Sequence, residues 1–309
     1  MLVTGAAGFV GRHLTAYLHE GGHEVLGLVL PKDVGPTEPF ETRGVDLLDD
    51  DALADAVSTF VPDTIYHLAA FSNPERSFGS ARKTLETNVI GANNLLSAAA
   101  STGRRPRVLL VGSAQQYGLV DRESQPISEE QVLRPQTPYA VSKVSQELLG
   151  QQYVLAEELP VYLTRSFNHT GPGQSDVYVC SSFAKQVAES EKGLREPVLR
   201  AGNLEARRDF SDVRDVVRAY EAIIDHGRPG RVYNVCSGEA VAIRDVVDQL
   251  VALAHARVRV SIDPELYHTI DAPLIVGSNR RLRSETGWTP RYALAKTLRD
   301  LLDDWRRRL

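Results

Sequence analysis

The chain predicts a doubly wound α/β fold, a parallel Rossmann sheet followed by a smaller C-terminal α/β substrate region. Two observations carry this. Short apolar runs alternate with amphipathic helical stretches through the first two-thirds, and the glycine-rich turn Gly5-Ala6-Ala7-Gly8-Phe9-Val10-Gly11 lies between the first run and the first helix.

In order, residues 2–4 read as a strand, 11–20 as a helix, 24–30 as a strand, 51–60 as a helix and 64–68 as a strand. A long helix over 88–101 precedes a strand over 107–112. Strands separated by helices of this length need crossovers, which within one parallel sheet are right-handed and put helices on both faces. The first strand is short, so it is either frayed or preceded by further residues. A second long helix covers 139–158 and a strand 161–165. After Arg165 the regularity weakens, and Phe167-Asn168-His169-Thr170-Gly171-Pro172-Gly173 reads as a polar turn. A helix over 181–192, a turn at Gly202-Asn203, a helix over 213–224, a strand over 231–235 and a helix over 294–308 complete the pattern. The expected division is a dinucleotide-binding domain over 1–166, with 209–235 returning to it. Residues 167–208 and 236–309 form most of a substrate-binding domain. No repeat period of about 20 to 50 residues is present.

At 309 residues, 42% hydrophobic and 24% charged, the chain has a globular composition and can bury a large core. Its formal charge is −5, and the basic clusters Arg104, Arg105, Arg107 and Arg306 to Arg308 fall at expected helix ends, so no nucleic-acid partner is expected. Cys180 and Cys236 lie far apart outside any metal-ligand spacing, which fits a reducing cytoplasm without zinc. The N-terminus lacks a secretory pattern, and no apolar run approaches the roughly 20 residues of a membrane span. His13, His19, His23, His226 and His255 lack metal spacing and read as structural.

Tyr139 and Lys143 are four apart on an expected helix, which puts a phenol and an ammonium on one face. A nearby ammonium lowers a tyrosine pKa, so the pair predicts a proton-transfer device working near neutral pH. Ser113 closes an apolar strand upstream. The turn with Gly5, Gly8 and Gly11 is placed for a dinucleotide. Glycines allow a tight turn and close backbone approach, and the helix N-terminus attracts phosphates. The second strand ends Leu30-Pro31-Lys32, without an acid to bind a ribose 2′-hydroxyl before Asp33. Arg12 and Lys32 are instead candidates to neutralise a 2′-phosphate, which predicts NADPH over NADH. Asp46 is a candidate contact for the adenine edge, and the small residues after His67 let a backbone lie against a cofactor.

Gly5/Gly8/Gly11, His67 to Ala70, Asn88-Val89-Ile90-Gly91, Ser113, Tyr139 and Lys143 together resemble the extended short-chain dehydrogenase/reductase superfamily over nearly the whole chain. The strings 165–174, 202–210 and 233–238 resemble its nucleotide-sugar branch acting on GDP-mannose derivatives. The resemblance implies cofactor contacts from Phe9, Val10, Leu47, Leu68, Ala69, Ala70 and Asn88 as well as from the residues above. It implies hydride transfer to the C4 ketone of a GDP-linked 6-deoxy-4-ketohexose. Tyr139 would protonate the oxygen, Ser113 would hydrogen-bond it and Lys143 would hold the nicotinamide ribose. For the sugar nucleotide it implies Gln115, Asn168, Asn203, Leu204 and Arg208. Dehydratases of the branch carry a carboxylate where this chain has Gln115, and an amide is neither acid nor base at pH 7. The expectation is therefore a reductase; the alternative is a 4-epimerase holding NAD tightly. His268 stands where relatives usually carry Arg. The superfamily commonly forms homodimers through the two long helices, which makes Leu95, Leu96, Leu148 and Leu149 candidate interface residues.

Overall fold

The computed structural model describes residues 1–34, 40–266 and 272–309. Seven parallel strands form the main sheet: β1 (Leu2–Thr4), β2 (Leu26–Val29), β3 (Glu41–Gly44), β4 (Thr64–His67), β5 (Arg107–Ser113), β6 (Val161–Ser166) and, after three strands of a second region, β10 (Val232–Val235). Their spatial order is β10-β6-β5-β4-β1-β2-β3, which reverses direction between β1 and β4. Such a reversal opens a crevice at the carboxyl ends of the strands.

Successive strand residues point to opposite faces, so each pair of apolar neighbours feeds two cores. Leu2, Ile65 and Leu110 face one core, packed against helices α2 (Asp50–Phe60) and α5 (Gly91–Ser101) through Leu53, Val57, Leu95 and Leu96. Val3, Tyr66 and Leu109 face the other, covered by α1 (Phe9–Glu20) and α8 (Val213–His226) through Leu14, Leu18, Val216 and Tyr220. The short helices α3 (Pro74–Gly79) and α4 (Ala81–Leu85) lie between β4 and α5. Helix α6 (Pro138–Ala156) starts where Thr137 caps it, accepting from the Ala140 N–H at 3.0 Å with Pro138 in the first turn.

A third core joins α7 (Val179–Glu191), α9 (Ile243–Ala252) and α11 (Leu294–Arg308). Beside it β7 (Asn168–Thr170), β9 (Arg207–Asp212), β11 (Ala240–Ala242) and β13 (Leu274–Ile275) form one small sheet, and β8 (Val198–Ala201) pairs with β12 (Arg259–Ile262). Helix α10 (Arg280–Thr286) returns to the main sheet, placing Leu282 in its second core. Thus β9 belongs to the small sheet and α8 with β10 to the large one. Cys180 and Cys236 are free and buried, and among the described residues no helix is long and apolar enough to cross a membrane.

Two departures from the sequence reading matter. Strand β3 was not anticipated, because its residues are mostly half-exposed at the sheet edge and show no apolar run. The helix expected from residue 88 begins instead as a π-helical turn, Glu86–Ile90, which leads into α5. Such turns redirect side chains inside helices, and this one buries Asn88 completely.

An ion pair locks α6 to the sheet. Arg165 Nη2 lies 2.6 Å from Glu147 Oε1 and Arg165 Nε donates to Glu147 Oε2 at 2.9 Å, with both side chains 6% exposed. Removing one partner of a buried pair costs about 3–5 kcal/mol. Glu147→Ala should lower the unfolding free energy in urea by that amount; a loss below about 1 kcal/mol would mean the guanidinium finds another partner.

Candidate functional site

A cleft of about 1270 Å³ opens where the strand order reverses. Its near wall is the glycine turn. Gly5 has φ +71°, and a Cβ there would lie 2.8 Å from the Ala69 nitrogen; a Cβ at Gly11 would lie 2.2 Å from the Gly5 carbonyl oxygen. Side chains at either position would close the turn. Gly8 caps α1 without a side chain, so the first N–H groups of the helix stay open to an anion. Thr4 Oγ1 accepts from the Ala69 N–H at 3.2 Å and lies 2.9 Å from His67 Nδ1, in hydrogen-bond contact with it, which ties the ends of β1 and β4 together. Burial holds His67 down to about 3, so it stays neutral. This cradle fits a dinucleotide: small, backbone-lined and anion-attracting.

At the other end stand Ser113, Tyr139 and Lys143, all lining the cleft. Tyr139 is 8% exposed and its phenol is bonded to Ser113. Ser113 is held in turn: its main-chain N–H donates to Gln116 Oε1 at 2.8 Å, and Gln116 Nε2 donates to Glu147 Oε2 at 2.8 Å. Lys143 Nζ donates to the Val111 carbonyl at 2.7 Å and to Gln146 Oε1 at 2.8 Å. Here the expectation of a lysine-lowered phenol needs correction. Burial pushes Tyr139 up to about 12, opposed by the Ser113 hydrogen bond, and burial draws Lys143 down to about 7. The ammonium is committed to Val111 and Gln146, and desolvation dominates both groups.

Gly5, Gly8, Phe9, Val10, Gly11, Arg12, Asp46, Leu47, Leu68, Ala69 and Ala70 all line the cofactor half. Gln115, Asn168, Asn203 and Arg208 line the other half. Three expected residues stand elsewhere. Lys32 is exposed in the turn Pro31–Asp33 and is not on the wall, whereas Asp33 is. Asn88 lies beneath the wall, exchanging bonds with Phe71 N (2.7 Å) and O (3.2 Å) and donating to Ser142 Oγ (2.8 Å); it shapes the segment after Ala70 rather than touching the cleft. Leu204 is 4% exposed in the third core. Two carboxylates close to Arg208 in sequence are held by other groups: Asp209 accepts from Ser237, Gly238 and Gly277, and Asp212 from Arg214 and Thr297. His268 lies outside the described residues. Missed in the sequence were Gln116 and Arg165, which show no motif spacing, Glu147, which continues the four-residue interval of Tyr139 and Lys143, and His169, which lines the cleft.

Among the described residues on this wall the carboxylates are Asp33 and Asp46, both at the cofactor end. None borders the reaction trio. Residues 2–301 match the family model described as GDP-mannose 4,6 dehydratase. This chain belongs to that family, within the extended short-chain dehydrogenase/reductases. It is 37% identical over 309 residues to GDP-6-deoxy-D-mannose reductase of Pseudomonas aeruginosa (strain PAO1), covering 100% of this chain and 98% of that protein. Among solved structures it is similar to RMD from Pseudomonas aeruginosa complexed with NADPH, with TM-score 0.89, 36% identity and 100% and 99% of the two chains covered. UDP-glucose 4-epimerase from Thermus thermophilus, complexed with NAD, gives TM-score 0.86 at 28% identity over 99% and 98%.

The lysine environment has a measurable consequence. Between pH 7 and 10.5 the unfolded Lys143 holds a proton that the folded one has released, so raising the pH through this window favours the folded state. In urea unfolding, wild type should gain on Lys143→Met by up to about 1.4 kcal/mol per pH unit there. A difference that stays flat from pH 7 to 10.5 would show that the buried amine keeps its proton.

Proposed function

We propose that this enzyme uses NADPH to reduce the C4 ketone of a GDP-linked 6-deoxy-4-ketohexose, giving GDP-6-deoxyhexose, either GDP-D-rhamnose or its C4 epimer. The carrying observation is a Ser-Tyr-Lys trio at the end of a dinucleotide cleft whose reaction end is lined by no carboxylate among the described residues, in a chain 37% identical to a GDP-6-deoxy-D-mannose reductase. Dehydration across C5 and C6 needs a carboxylate to move protons; Gln115 occupies the position instead.

Bound NADPH supplies the hydride. The glycine turn and the α1 N-terminus would hold its pyrophosphate, and Leu68 to Ala70, Asp46 and Leu47 would line the rest of its binding site. Tyr139 gives its proton to the C4 oxygen as negative charge gathers there, and the Ser113 hydroxyl donates to the same atom. Lys143 would hold the nicotinamide ribose. Asn168 and Arg208 bind the sugar pyrophosphate, for which a guanidinium fork is suited.

We also propose a homodimer, and the exposed faces correct the interface. Leu95 and Leu96 are fully buried in the first core and Leu149 packs on it. Left open on α6 are Val141 (41%), Leu148 (57%) and Leu155 (84%), seven residues apart along one face, beside Leu85 and Ile90. A stripe of this kind on a monomer calls for a partner surface.

Incubated with GDP-4-keto-6-deoxymannose and NADPH, the wild type should consume the reduced cofactor and form a GDP-6-deoxyhexose identifiable by NMR. Tyr139→Phe should lower kcat roughly 100- to 10,000-fold while leaving NADPH binding intact; retention of more than about a tenth of kcat contradicts the acid role. In light scattering the wild type should be dimeric and Leu148→Asp with Leu155→Asp monomeric. A wild type that is monomeric at every concentration rejects the interface.

A further inference from the structure

We propose that Ser77 is a positioning residue for the proton transfer: its hydroxyl holds the main chain of Tyr139, and through it keeps the phenol against Ser113. This rests on the reductase reading above and deepens it by naming the group that sets where the acid stands. Helix α6 begins with an unmet need. Thr137 Oγ1 takes the Ala140 N–H at 3.0 Å, the Thr137 carbonyl takes that of Val141, and Pro138 has no N–H to give. The Tyr139 N–H is left over in a buried first turn, and Ser77 Oγ on α3 accepts it at 3.2 Å. The serine is itself fully buried and gives its one proton to the Pro74 carbonyl oxygen at 2.5 Å, so toward Tyr139 it acts only as an acceptor.

A second arm reaches Tyr139 from the same loop. Ser142 Oγ donates to the Tyr139 carbonyl oxygen at 2.7 Å and accepts from Asn88 Nδ2 at 2.8 Å, and Asn88 holds both main-chain groups of Phe71. The N–H and the carbonyl of Tyr139 are thus tied, at Ser77 and Phe71, to the segment that follows β4. Leu68, Ala69, Ala70, Ser72 and Pro74 of that segment line the cleft, so the cofactor wall and the acid form one hydrogen-bonded unit. Ser77 is its direct tie; the other arm passes through two side chains. Without the Ser77 acceptor the Tyr139 N–H is buried unpaired, and the first turn of α6 has to tilt to find another partner. The phenol tilts with it. Ser113 does not follow, because Gln116 holds its N–H separately. A displacement of about 1 Å costs on the order of a hundred-fold in transfer, whereas the glycine turn that binds the dinucleotide is untouched.

The test measures kcat and KM with GDP-4-keto-6-deoxymannose, and the NADPH dissociation constant by cofactor fluorescence, for Ser77→Ala and Ser77→Cys, each made in the wild type and in Tyr139→Phe. Ser77→Ala should lower kcat about ten- to a hundred-fold while KM and the NADPH dissociation constant stay within about two-fold. Ser77→Cys, close in size but a weaker acceptor, should fall between it and the wild type. In the Tyr139→Phe background either change should cost less than about two-fold, because the hydroxyl being positioned is gone. A purely structural serine would instead lower the rate by the same factor in both backgrounds, and that result overturns the proposal. So does a kcat within about two-fold of wild type in Ser77→Ala or, should that variant fail to fold, in Ser77→Cys. A wild type that consumes no NADPH with the ketosugar would remove the functional reading itself.

Discussion

The Glu147–Arg165 pair determines where the reactive atoms stand. Helix α6 carries Tyr139, Lys143 and Glu147 at intervals of four, so the phenol, the amine and the carboxylate share one buried face. Glu147 reaches β6 through Arg165 and β5 through Gln116, and Gln116 in turn takes the Ser113 N–H. Shifting the helix along the sheet by one turn would break all of these contacts together. Two desolvated charges are a poor source of net stability, since a well-packed apolar pair does as well. What they add here is direction: bidentate geometry tolerates little sliding, and a phenol must sit within hydrogen-bond reach of both a hydroxyl and a ketone oxygen.

The same burial that aligns the trio sets its electrostatics. The reaction end is walled by Val111, Gly112, Ala114, Ile127 and Phe167, and the acids of the cleft stand at the far, adenine end. A site with few fixed charges raises the cost of ionising any group within it, which is why Tyr139 moves up and Lys143 down. Asp33 and Arg12 both line the cofactor rim, whereas Lys32 does not.

Sequence pattern made the large sheet legible because its strands are apolar on both faces and its helices are long enough to show periodicity. The C-terminal helix was bounded correctly at residues 294–308 for the same reason. Elements of two to four half-exposed residues, such as β3, β7 and β13, carry no period to read. At the site, glycine spacing and the Tyr-x-x-x-Lys interval identified the cradle and two of the trio, since both depend on local geometry. Gln116, Glu147 and Arg165 meet across sequence gaps of 31 and 18 residues, so only the folded chain brings them together.

The raised phenol bears on the direction of the chemistry. Burial holds Tyr139 in its neutral form at pH 7. An alkoxide growing at C4 is a stronger base than a phenolate, so it takes that proton readily. To oxidise a sugar alcohol, as an epimerase must in its first half-reaction, the same residue has to be a phenolate before it acts. The protein's own groups do little to produce one: Lys143 is turned to Val111 and Gln146, and the one hydrogen bond that favours the ionised form comes from Ser113. Tyr139 rests in its neutral form, and no carboxylate among the described residues lines the reaction end, an arrangement consistent with adding hydrogen to a ketone.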